Sequence, residues 1–168
     1  MGNQKHTSQV KTINWNTEVV YGSLSNLEFL NFLFLPENME RVKEQLGDKA
    51  DKFNIEDFTA DQDSCSFKIS PVGTVSLRIV ERENLKLIKL ISEKGTPIQF
   101  TLWIQILPVN ETSCKIRLTL QTELNMMMKM VVGNKLEKGI EQIAEAFTQM
   151  PFDAIYNFNQ NHSNHQIS

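Results

Sequence analysis

From residue 65 to residue 121 apolar side chains recur at every second position. Cys65, Phe67 and Ile69 are spaced by Ser66 and Lys68, and Val75, Leu77 and Ile79 by Ser76 and Arg78. Phe100, Leu102, Ile104 and Ile106 continue the pattern after Ile98, and Ile116, Leu118 and Leu120 alternate with Lys115, Arg117, Thr119 and Gln121. Period two is the mark of strands with one covered face. Leu87 to Glu93 also reads as a strand, with apolar residues in both phases, and Ile55 to Ala60 adds another. The runs are separated by turn chemistry: Asp61-Gln62-Asp63-Ser64, Pro71-Val72-Gly73, Lys94-Gly95-Thr96-Pro97 and Asn110-Glu111-Thr112-Ser113. Such short connections predict an antiparallel meander.

Helical spacing flanks this block on both sides. A first strand over Thr7 to Ile13 is followed by Asn14 and Asn16, which suit helix N-caps, and by Val20 and Leu24 one turn apart. Ser25-Asn26-Leu27-Glu28 fits a capping box opening a short helix through Leu27, Leu30 and Phe34. Pro36 suits the first turn of a third helix, with Met39, Val42 and Leu46 as its apolar stripe and Gly47 as its end. Beyond the strands, Val132, Leu136, Ile140, Ile143 and Phe147 recur at spacings of three or four. They predict one long amphipathic helix from near Asn125 to before Pro151, with Gly139 inside it. A close approach of that helix to the sheet would explain the glycine.

Strands grouped together with helices set apart give an α+β class. The alternation demands a cover for one sheet face, and the last helix is the element long enough to supply it. Roughly 22 helical residues would span about 33 Å, and a twisted antiparallel sheet of roughly six to seven strands can curl around such a rod. Residues 1–156 are expected to form this single domain. Residues 157–168, rich in Asn, Gln, His and Ser, are expected to form a polar disordered tail.

Composition adds exclusions. A chain of 168 residues with 40% hydrophobic content and a formal net charge of −3 has ordinary globular chemistry and no basic stripe for nucleic acid. No apolar run is long enough for a membrane span, and no signal peptide is visible. Gly2 alone matches a myristoylation site, because His6 stands where Ser or Thr is needed. The sequons at Asn110 and Asn161 carry no weight without a secretion route. Cys65 and Cys114, both in strand-like segments, read as free thiols of a cytoplasmic protein.

The order of elements resembles the START and birch-pollen-allergen-like superfamily, also called SRPBCC, whose members have the helix-grip fold. The resemblance covers roughly residues 5–152. Within it, Ser70-Pro71-Val72-Gly73, then Val75 through Arg82, and the run Pro97 to Gln105 look like a small bacterial branch of that superfamily. It implies a cavity between sheet and last helix, which in many relatives holds an apolar ligand.

The expected lining of such a cavity comes from the inward phase and from helix residues that could face it. On the sheet it comprises Phe67, Val75, Leu77, Ile79, Phe100, Leu102, Ile104, Leu118 and Leu120. From the helices it takes Phe32, Met127, Met130 and Val131. Met126, Met127, Met128 and Met130 crowd the start of the last helix, where flexible thioethers either line an adaptable pocket or fill the core. Phe29, Phe32 and Phe34 either close the mouth or belong to the core.

Catalytic chemistry finds no foothold. The inward phase holds no acid or base except Glu81 near a strand end, which reads as a rim carboxylate in water rather than a catalytic group, because burying an unpaired charge is costly. The histidines, His6, His162 and His165, lie at the chain ends, and no nucleophile arrangement, phosphate loop or zinc spacing appears. No metal and no cofactor is expected. On the outer phase, Trp103 and Leu107, with Val80 and either Leu87 or Ile91, could form a patch for a homodimer; the alternative is a bulge that turns Trp103 inward. The leading expectation is a binding protein for a small apolar or amphipathic, lipid-like ligand. An interaction module without a ligand and a cyclase- or hydrolase-like enzyme are the other readings.

Overall fold

The computed structural model describes residues 3–33, 35, 37, 38, 40, 44, 55–69, 73–133 and 135–167. Its sheet contains β1 (Asn3–Thr7), β2 (Lys11–Ile13), β3 (Ile55–Ala60), β4 (Ser64–Ile69), β5 (Gly73–Glu83), β6 (Leu87–Ser92), β7 (Gln99–Asn110) and β8 (Ser113–Glu123). Strands β3 to β8 form the predicted meander, and β1 and β2 both pair antiparallel with β8, giving the order β1-β8-β7-β6-β5-β4-β3. The first strand predicted over Thr7 to Ile13 is therefore two. Pairing slips by one residue between Thr7↔Thr119 and Lys11↔Ile116. Ser8 bridges the slip: its amide donates to the Leu118 carbonyl at 2.8 Å, and its Oγ accepts from the Leu118 amide at 2.9 Å.

Two short helices, α1 (Thr17–Leu24) and α2 (Phe29–Leu33), carry the chain away from β2. Asn16 caps α1 as expected, its Oδ1 accepting from the Val19 amide at 2.8 Å. The capping box does not form. Ser25 ends α1, and Asn26 Oδ1 accepts from the Glu28 amide at 3.0 Å in place of the serine hydroxyl. The third helix expected over Met39, Val42 and Leu46 falls on residues outside the described set, as do Phe34 and the Pro71 turn.

The C-terminal half departs most from expectation. The single long helix is two, α3 (Met126–Val132) and α4 (Leu136–Phe147), with a third, α5 (Phe152–Ile167), after Pro151. Asn125 caps α3 through its Oδ1, which accepts from the Met128 amide at 2.8 Å, and Gly133 ends it. Twelve residues give α4 a length of about 18 Å. Its buried face is Ile140, Ala144 and Phe147, while Ile143 is exposed, so Ala144 takes the place the spacing gave to Ile143. Nothing lies within 4 Å of where a Gly139 Cβ would stand, so no close approach accounts for that glycine.

Helix α5 runs past residue 156. Its backbone continues helical to Ile167, and Asn159 is buried, with Nδ2 donating to the Ser23 carbonyl at 3.3 Å. Phe158 meets Phe32 with ring centroids 5.5 Å apart. A Cβ on Gly22 would come within 2.6 Å of the Tyr156 ring, so the glycine lets α1 and α5 pack closely.

The core lies between the sheet and these helices. Ile13, Ile88, Ile104, Ile106, Ile116 and Leu118 from the sheet pack with Val20 and Leu24 of α1, Ile140, Ala144 and Phe147 of α4, and Phe152 and Ile155 of α5. Helix α4 contacts β8, β1 and β2, and is tied down by Glu141 and Glu145. Glu141 Oε1 accepts from the Gln9 amide at 2.6 Å, and the Glu145 carboxylate pairs with Lys11 Nζ at 3.0 Å.

Candidate ligand-binding face

Strand register places all thirteen residues of the inward phase, Cys65 through Leu120, on the face that meets the helices. One cross-strand row reads Ile88–Ile104–Leu118. The next reads Ile79–Leu90–Leu102–Leu120 and continues onto β1 as His6. A further row reads Cys65–Leu77–Ser92, and Phe100–Thr122–Gln4 extends it across the later strands. Phe67 and Val75 form the row beyond.

Cover is unequal along this face. Ile104 and Leu118 are buried within the core cluster, and Val75 and Ile79 are also buried. By contrast Phe67, Leu77, Phe100, Leu102 and Leu120 are only partly covered, although they project from the same face. Phe32 of α2 is partly buried against the core. An apolar concave face that stops short of full cover is what a small apolar ligand requires.

Of the expected lining residues on the last helix, Val131 is half-buried. Met127 and Met130 are 73% and 88% exposed, so they line no interior surface, and that expectation is corrected. The physical reason is the break at Gly133. Helix α3 has no buried residue and is free of the phase of α4.

Alternation also fails at Glu81. A bulge between Ile79 and Glu81 advances β5 by one position, so Glu81 pairs with Lys89 on the outer face and Arg82 moves into the row of Ile88. Arg82 acts there as a clamp. Its Nε donates to the Ser25 carbonyl at 3.0 Å, and its Nη2 donates to the Gln62 carbonyl at 3.2 Å and Asp63 Oδ1 at 2.8 Å. The α1–α2 turn is thereby fastened to the β3–β4 turn.

Sequence periodicity missed the polar end of the face. Gln4 and His6 sit on β1, which carries no apolar alternation, and only pairing with β8 brings them inward. Burial raises the pKa of both thiols, Cys65 to about 12, with Asp61 and Glu93 adding to the shift, and Cys114 to about 11. Neither acts as a nucleophile near neutral pH. Among the described residues, no group of three or more His, Cys, Asp or Glu side chains could hold a metal ion. No described helix is long and apolar enough to cross a membrane.

The outer face has its own feature. β7 keeps unbroken register with β8 from Gln99 to Pro108, so no bulge turns Trp103. It faces outward, with Lys89 Nζ 5.7 Å from its ring centroid. Nearby, Val10, Leu87, Leu107 and Pro108 border a trough of about 630 Å³ with Lys86, Lys115 and Arg117 around it.

Solved structures share this arrangement of sheet and helices. Norcoclaurine synthase from Thalictrum flavum aligns over 89% of this chain and 95% of its own, with a TM-score of 0.55 and 12% identity. A conserved protein from Geobacillus kaustophilus aligns over 92% of this chain and 93% of its own, with a TM-score of 0.53 and 11% identity. A START superfamily protein from Mycobacterium smegmatis aligns over 88% of this chain and all of its own, with a TM-score of 0.50 and 12% identity. The chain has the helix-grip fold of the START and birch-pollen-allergen-like superfamily. At these identities the likeness concerns the fold alone. No protein-family model and no curated protein sequence matches the chain.

Proposed function

We propose that this helix-grip protein is a cytoplasmic binding protein for a small apolar or amphipathic ligand seated on the partly covered rows of the inner face. One observation carries the reading: Leu77, Phe100, Leu102 and Leu120, on two adjoining rows, remain partly accessible although Cys65, Ile79 and Leu90 of the same rows are buried, while Ile88, Ile104 and Leu118 of the next row are sealed. Large apolar groups left accessible on a concave face gain roughly 25 cal/mol for each Å² that a ligand removes from water. Phe67, Val75, Ile79 and Phe32 extend or back this surface in the proposal. Ile104 and Leu118 form its floor, and Val131 borders it. The fold of norcoclaurine synthase, solved with dopamine and hydroxybenzaldehyde, is compatible with small aromatic ligands on such a frame. Buried, free cysteines fit a reducing compartment. Native mass spectrometry of gently purified protein tests the reading. A stoichiometric small-molecule passenger released on denaturation is expected. Bare protein that also fails to bind added apolar probes would end it.

A second reading is favoured by the outer trough. Val10, Leu107 and Val109 are exposed beside it, and two copies meeting there would cover them. Light scattering across a concentration series tests this, with Leu107→Lys expected to abolish any dimer. A monomer at every concentration would end it.

A further inference from the structure

The partly covered rows of the inner face are apolar except at Ser92 and at the β1 end, where Thr122, Gln4 and His6 gather. Register puts Gln4 directly across from Thr122, and His6 across from Leu120, two positions along the same strands. Residues so placed are diagonal neighbours, with Cβ atoms roughly 7–8 Å apart or somewhat less. A single ligand oxygen fits between two such side chains.

Their hydrogen bonding is incomplete. Thr122 is 2% exposed, and its Oγ1 has no hydrogen-bond partner among the described residues. Burying a hydroxyl unpaired is unfavourable, and native structures rarely leave one so without a reason. Ser92 in the same row differs: its Oγ accepts from the Phe100 amide at 3.0 Å and donates to Gln99 Oε1 at 3.3 Å. Among the described residues, half-buried His6 has one side-chain hydrogen bond, Nε2 to Gln4 Oε1 at 3.4 Å. With the Gln4 oxygen as acceptor, Nε2 carries the proton and Nδ1 is left as an acceptor.

Charge narrows the ligand further. The cations in the inner rows are Lys11 and Arg82, and each already has a carboxylate partner, Glu145 at 3.0 Å and Asp63 at 2.8 Å. A ligand carboxylate on this face would find no free counter-ion among the described residues of the sheet, so an uncharged head group is favoured.

We propose that the face takes ligands with an apolar body and a neutral hydroxyl head, a phenol or alcohol, which accepts from Thr122 Oγ1 and donates to His6 Nδ1. Gln4 is a positioning residue that fixes the imidazole tautomer. The inference rests on the binding reading above and names the ligand class for that same surface.

Equilibrium dialysis with 2-naphthol and 2-methylnaphthalene at neutral pH tests it, because the probes differ in the hydroxyl and not in the apolar body. The intact chain is expected to hold 2-naphthol about ten-fold more tightly, the ratio one good hydrogen-bonded head confers. Thr122→Val and His6→Leu should each erase most of that preference, while Thr122→Ser keeps it. His6 lies on half-buried β1, so His6→Leu carries the test even if Thr122→Val folds poorly. Equal binding of both probes, or a preference unchanged in the two variants, overturns the anchor and leaves the binding reading standing. Failure of both probes to bind overturns both.

Discussion

The inner face of the sheet carries one alternation, and the fold seals some of its apolar side chains while leaving others partly accessible. In the row Ile88–Ile104–Leu118, side chains are buried in one core cluster with residues of α1, α4 and α5. One and two rows further on, Leu102, Leu120, Leu77 and Phe100 have the same chemistry, direction and spacing, yet they remain partly accessible. In the proposed reading, stability lives in the sealed residues, and the partly accessible ones are where a ligand would be taken up. Hydrophobicity therefore does not separate core from site here; the placement of helices does.

Paired truncations probe that contrast most strongly. Leu118→Ala should cost about 2–5 kcal/mol, as expected for a fully packed side chain, whereas Leu102→Ala should cost about 1–2 kcal/mol. Urea denaturation of both variants measures the gap, and equal losses would break the distinction. Enlargement works in the opposite sense. Leu118→Trp should overpack the sealed row and cost about 1–3 kcal/mol. Leu102→Trp should change stability by less than about 1 kcal/mol while weakening 2-naphthol binding.

The cover itself can be loosened or tightened. Gly22→Ala drives a methyl group into the Tyr156 ring and should cost about 1–2 kcal/mol by prising α5 from α1. Gly139→Ala meets open space on α4 and should stabilise by about 0.5–1 kcal/mol, seen as a raised midpoint of thermal unfolding. Smallest of all, Met130→Ser on exposed α3 should shift stability by less than about 0.5 kcal/mol. A larger loss would mean that α3 contributes to the cover.

Much of this architecture was legible in the chain. The meander, its inward phase and the Asn16 cap followed from local rules. The errors share a cause. Glu81 was assigned inward because period two was carried past a bulge that nothing in Ile79-Val80-Glu81 announces. Met127 and Met130 were given to the interior because one helical phase was carried across Gly133. Asn157 onward was set aside as a tail because its composition is polar, yet Asn159 is held by Ser23 of α1. His6 was passed over because β1 has no apolar pattern, and its direction is set by β8, more than a hundred residues away along the chain.

Taken alone, the sequence determined which way side chains point within each strand, since successive residues of an extended chain must project to opposite sides. Tertiary structure decided how far the helices reach across the sheet, where a bulge resets the phase, and which polar residues of β1 join the apolar face. Those outcomes depend on contacts between distant segments, and no local period encodes them.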